Sequence, residues 1–109
     1  MSDSFDHILS DTNPYKGVAI DECHLDLVYG LVRTHKPENV LEIGVGSGRT
    51  TAYLSRALEK NENLQKLTLV DNWVDWKGEK PEHISKIEDK VQLVESDELS
   101  FVFEKNKTM

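Results

Sequence analysis

Three glycines at alternate positions, Gly44, Gly46 and Gly48, follow an acid in the run Glu42-Ile43-Gly44-Val45-Gly46-Ser47-Gly48. Glycines so spaced let a backbone turn tightly and come close to a ligand. Where a helix starts directly after them, its unpaired amide groups favour a negative group. Two phosphate-binding patterns can be tested against the spacing. A G-x-G-x-x-G dinucleotide fingerprint needs its third glycine at position 49, which is Arg49. A G-x-x-x-x-G-K-[ST] loop needs a glycine at position 43, which is Ile43, and a lysine where Arg49 stands. Both fail at named positions, and an acid two residues before the first glycine is a poor neighbour for a phosphate. The remaining readings are a site for a ligand without phosphate and a plain turn that uses glycine for its geometry.

Other residues could share that chemistry. Asp71 closes an apolar run about twenty residues beyond the loop, the spacing at which nucleotide sites place an acceptor for ribose hydroxyls. Asp71-Asn72 could equally cap a turn. Trp73 and Trp76 are suited to cover a flat ligand or to pack a core. Ser96 and Asp97 follow a third apolar run, where either could cap a helix. Ser47 is a cap candidate for the helix that follows it, which Arg49 and Thr50 begin. His7, His24, His35 and His83 are scattered without metal-ligand spacing, so no metal site is expected. Cys23 falls on an apolar helical stripe and is expected to be inert core.

These residues need a frame. Residues 1–18 are polar, carry Asn13-Pro14 as a turn signal and are expected to form an irregular arm. From Ile20 the pattern is helical: Ile20, Cys23, Leu27 and Leu31 form a stripe widened by Val28 and Val32, closed by His35-Lys36-Pro37. Strands are expected at about 39–44, 66–71 and 90–95. A helix marked by Tyr53, Leu54, Ala57 and Leu58, ending near Lys60-Asn61, lies between the first two. A short helix opened by Pro81 and carrying Ile84 and Ile87 lies between the second and third. Leu99, Val102 and Phe103 give a last stripe. Strands alternating with helices pair in parallel through right-handed crossovers. The expected fold is therefore α/β, a Rossmann-like sheet in a single domain over residues 19–109.

Composition narrows the function. The 109 residues carry 13 basic and 20 acidic side chains, a formal net charge of −7. That balance argues against gripping a nucleic-acid backbone. No apolar stretch approaches the length of a membrane span, and the first residues lack the pattern of a secretory signal. A single cysteine fits a reducing compartment, so a cytoplasmic protein is expected.

The stretch VLEIGVGSGRTTAYLSRAL resembles motif I of the class I S-adenosylmethionine-dependent methyltransferases. LTLVDNW is similar to that family's second strand, which ends in an acid. KVQLVESDELS is similar to its third strand, most closely in the small-molecule, catechol-type O-methyltransferases. The resemblance spans roughly residues 20–103. It implies S-adenosylmethionine as cofactor, a ligand with a cationic sulfonium and no phosphate. It implies that Glu42 faces the ammonium of the methionine end and that Gly44, Gly46 and Gly48 pass beneath the ligand. Ser47 would contact the carboxylate, and Asp71 would take the ribose hydroxyls. Ser96 would offer its amide to the adenine, and Asp97 would receive the adenine amino group. The family has an apolar residue against the adenine where this chain has Asn72, so Trp73 is expected to supply that packing.

A complete core of this family has seven strands, and three are matched here. The strands that carry the acceptor site, any metal ligands and the family's fourth acid have no counterpart. No catalytic residue is therefore carried over. The expectation is the amino-terminal, cofactor-binding half of an enzyme that methylates a small molecule. The alternatives are a non-catalytic binding module and an interaction domain without an adenosyl ligand. The family's sheet order places strand 2 between strands 1 and 3. That leaves the 39–44 edge open, to be covered by a second copy or a partner chain. Gly46 is expected where no side chain fits.

Overall fold

The computed structural model describes residues 6–18, 20–63, 66–97 and 100–101. Its elements in chain order are α1 (Asp6–Asp11), a 3-10 turn (Asn13–Tyr15), α2 (Glu22–His35), β1 (Asn39–Ile43), α3 (Arg49–Asn61), β2 (Lys66–Val70), α4 (Glu82–Ser85) and β3 (Gln92–Val94). The three strands form one parallel sheet in the order β1-β2-β3. This is the α/β, Rossmann-like arrangement that the alternating pattern predicts, with β2 in the centre.

Position in the sheet explains the composition of each strand. β2 has neighbours on both sides, and Leu67, Thr68, Leu69 and Val70 are all buried. Among the described residues β1 pairs with β2 alone, and it alternates, with Glu42 buried while Leu41 and Ile43 are 51% and 38% exposed. Leu67 and Leu69 pack with Ala52, Leu54 and Leu58 of α3, and Val28, Val32, Val40 and Leu93 close in around them. Ile84 of α4 and Ile87 complete the core; the short helix expected after Pro81 ends at Ser85 and so carries Ile84 but not Ile87.

Three features depart from the sequence reading. Cys23 is exposed and Leu27 and Leu31 are 59% and 50% exposed, so these members of the expected stripe face outward, while Val28 and Val32, which widen it, pack on the core. Two apolar rows overlap on this helix, and the row of Leu25, Val28 and Val32 is the one turned into the core, with Leu25 fully buried. The expected irregular arm contains α1, whose Ile8 is fully buried in the main core. Phe5, Ile8 and Leu9 stand at i, i+3, i+4 in a polar segment, a single turn of pattern and too short a run to be read as a helix. The strands also stop earlier than expected, at Ile43, Val70 and Val94. The ladder nonetheless runs one residue on, through Gly44 N to Val70 O (2.9 Å) and Asp71 N to Val94 O (3.2 Å). Leu99, Val102 and Phe103 lie outside the described residues. Among the described residues no helix is long and apolar enough to cross a membrane.

Candidate functional site

Ile43, Val70 and Val94 are in register, so the parallel sheet delivers Gly44, Asp71 and the segment before Ser96 to one edge. There Gly44, Gly46 and Gly48 all have positive φ, at 83°, 57° and 90°. Left-handed backbone costs an ordinary residue about 1–2 kcal/mol, which accounts for the glycines. The reasons differ in detail. A Cβ on Gly48 would lie 2.9 Å from Ile84 Cδ1 and 3.4 Å from His83 Nε2. A Cβ on Gly46 would meet nothing within 4 Å. The expectation of crowding at Gly46 is thus corrected: within the chain its surroundings are open, and what selects glycine is φ. The 44–47 loop lines a cleft of about 240 Å³ together with Tyr15, Val18, Ile20, Arg49, Thr50 and Trp76.

Asp71 holds the loop in shape. Its Oδ2 accepts from Val45 N and Gly46 N, both at 2.8 Å, and its Oδ1 accepts from Trp73 N at 2.7 Å. A carboxylate has about four acceptor positions, so three amides leave roughly one for a ligand hydroxyl. Trp73 is fully buried at φ 58°, with its Nε1 donating to Gly46 O at 2.8 Å. It braces the loop from inside and does not line the cleft. Trp76 does line it, edge-on to Tyr15 with ring centroids 5.2 Å apart. Asn72 is exposed, and its Oδ1 accepts from Val74 N at 3.0 Å.

Glu42 lies below the loop and is buried. Thr51 Oγ1 donates to its Oε1 at 2.6 Å, while Oε2 is buried with no hydrogen-bond partner among the described residues. Burial pushes its carboxyl up to about 8; the Thr51 hydrogen bond opposes that rise and the nearby Asp71 charge adds to it. A buried carboxyl with an unused oxygen is a site that a hydrogen-bonding cation would satisfy.

Ser47 Oγ accepts from Arg49 N at 3.3 Å, and the Ser47 carbonyl accepts from His83 Nε2 in the tautomer that protonates this nitrogen. Ser96 and Asp97 are not among the residues lining the cleft. Ser96 Oγ donates to Asp97 O, and the Asp97 carboxylate accepts from Ser100 N (2.7 Å) and Ser100 Oγ (2.9 Å), the contacts of a cap. Asp21, Cys23 and His24 bring their ligand atoms within 4.8 Å of one another, but all three are exposed and none lines the cleft.

Thr51, His83 and the wall residues Tyr15, Val18 and Ile20 were not legible as site residues. His83 is 36 residues from its partner, and no local pattern announces such a contact. No family model matches the chain, and none of the curated proteins matches it.

Proposed function

We propose that the chain supplies the S-adenosylmethionine site of a methyltransferase acting on a small molecule in the cytoplasm. The observation that carries this reading is the strand-end loop of left-handed glycines, two of which, Gly44 and Gly46, line an open cleft, with a buried acid nearby whose Oε2 has no partner among the described residues. When bound, S-adenosylmethionine supplies an electrophilic methyl group on a cationic sulfonium. Glu42 and Asp71 are not among the residues lining the cleft; on this reading the unused oxygen of Glu42 meets the ligand ammonium, and the remaining acceptor position of Asp71 meets one ribose hydroxyl, at the glycine loop beside it. Trp76 and Tyr15 offer apolar surface to the adenine, a role that falls to Trp76 because Trp73 is enclosed. Methyl transfer asks chiefly for alignment of nucleophile, methyl and sulfur, and positioning is what this loop can contribute.

One observation favours a second reading, a module that binds the cofactor without catalysis. Arg49 and Tyr15 are the only ionisable residues lining the cleft among those described, and the Arg49 guanidinium is already engaged by Glu22, Leu9 O and Thr12. No candidate base therefore faces the cleft. Equilibrium dialysis with methyl-labelled S-adenosylmethionine, followed by transfer assays on a panel of phenols and other small acceptors, separates the readings. Binding with transfer supports the enzyme, and binding without transfer supports the module. No binding overturns both.

A further inference from the structure

Arg49 is the first residue of α3, directly after Gly48, and is 5% exposed. Its guanidinium reaches two separate segments. NH1 donates to Leu9 O at 3.0 Å and to Thr12 Oγ1 at 3.3 Å, at the end of α1. NH2 donates to Glu22 Oε1 at 2.9 Å and Nε to Glu22 Oε2 at 3.4 Å, at the start of α2. Tyr53 OH donates to the same Glu22 Oε1 at 2.7 Å, and the guanidinium lies 5.3 Å from the Tyr53 ring centroid. One side chain thus pins both ends of the segment between Thr12 and Glu22. That segment contributes Tyr15, Val18 and Ile20 to the cleft.

Between those ends of the segment, the Gly17 backbone amide donates to the Glu22 carboxylate, and Lys77 Nζ lies 5.0 Å from the Tyr15 ring centroid. Val18 is 61% exposed, and Tyr15 is held at its ring by the edge contact with Trp76 and at its hydroxyl by Lys77 Nζ at 3.4 Å. Its short backbone bonds, Tyr15 N to Thr12 O, Lys16 N to Asn13 O and Val18 N to Tyr15 O, are all internal or local. The clamp at its two ends thus shares the placing of this wall with the Tyr15–Trp76 and Tyr15–Lys77 contacts.

We propose that Arg49 is a positioning residue: with Glu22 it latches the 13–21 segment across the glycine-loop cleft, and the wall so placed sets how tightly the cleft holds its ligand. The proposal rests on the reading of the cleft as an adenosyl-cofactor site, but the latch itself can be read without ligand. Arg49 and Tyr53 hold the Glu22 carboxyl down at about 2, so the ion pair stays intact across the neutral range.

The test uses the whole chain carrying Arg49→Met, Arg49→Lys, Glu22→Gln or Val18→Ser. Hydrogen exchange in the ligand-free protein should quicken at the Tyr15, Lys16 and Val18 amides in Arg49→Met, while β2 and the middle of α3 stay protected. Arg49→Lys should restore part of that protection. The dissociation constant for S-adenosylhomocysteine should rise roughly tenfold in Arg49→Met, the loss expected when charged hydrogen bonds are removed. Glu22→Gln, which does not line the cleft, should weaken binding in the same sense, and the double variant should be no worse than Arg49→Met alone. Val18→Ser, at an exposed position with little risk to folding, should weaken binding without changing exchange. Unchanged exchange at 15–18 in Arg49→Met overturns the latch. Quickened exchange with unchanged affinity overturns the claim that the latch sets binding. If the parent chain binds no S-adenosylhomocysteine, the cofactor reading fails, and the exchange comparison still decides the latch.

Discussion

Glu42 and Asp71 are adjacent in space and do opposite things with their charge. The Glu42 carboxyl titrates at about 8 in the folded chain against an ordinary value of 4.5, so folding takes up a proton between those limits. The stability it permits is fully present below about 4.5 and is lost as pH rises toward 8. Glu42→Gln keeps an acceptor for Thr51 and buries no charge. It should therefore match the parent near pH 4 and exceed it by about 2–3 kcal/mol at pH 7. Urea unfolding at both pH values checks this, and a parent whose stability tracks that of the variant across the range contradicts it. A bound ammonium would favour the carboxylate, so cofactor affinity should increase with pH up to about 8 in the parent and lose that dependence in Glu42→Gln. Asp71 carries its charge productively, on three amides. Asp71→Ala strands those donors, and a cost of about 3 kcal/mol is expected in thermal or urea unfolding. S-adenosylhomocysteine should lose more affinity than its 2′,3′-dideoxy analogue, because the ribose contact disappears along with the loop bracing. Equal losses would remove Asp71 from ribose recognition.

The loop, its helix and the arm are where sequence legibility divides. Gly44, Gly46 and Gly48 were readable because alternate glycines between a strand and a helix have few other uses, and all three take positive φ. Asp71 was readable by position, but its work on the Val45 and Gly46 amides was not, since a ligand acceptor and a backbone acceptor leave the same residue in the sequence. Cys23, Leu27 and Leu31 misled because two apolar rows overlap on α2 and only packing against α3 selects between them. α1 and the wall at Tyr15, Val18 and Ile20 were hidden because long-range contacts through Arg49 and Trp76 hold them. The two crowded and open glycines give a test at this scale. Gly48→Ala meets Ile84 as well as a strained φ, whereas Gly46→Ala meets φ strain alone. Gly48→Ala should cost more, with Gly46→Ala near 1 kcal/mol by unfolding midpoint. The reverse order would mean that α4 does not close against the loop.

At the scale of the whole molecule, β1 leaves one edge without a strand among the described residues, and Leu41 and Ile43 are exposed beside it. Unpaired backbone next to apolar side chains invites another strand. The chain is expected to self-associate at low micromolar concentration in sedimentation equilibrium, and Leu41→Lys should shift it toward monomer. A monodisperse parent with strongly protected β1 amides would show that the edge is already covered. On the proposed reading an adenosyl cofactor lies over Gly46. Calorimetric titration of S-adenosylhomocysteine into the parent and into Gly46→Val tests this, because Gly46 lines the cleft and a Cβ there meets no atom of the chain within 4 Å. One-to-one binding is expected for the parent, and no binding for Gly46→Val with its circular dichroism near the parent's. A variant that binds like the parent, or a parent that binds nothing, would contradict it.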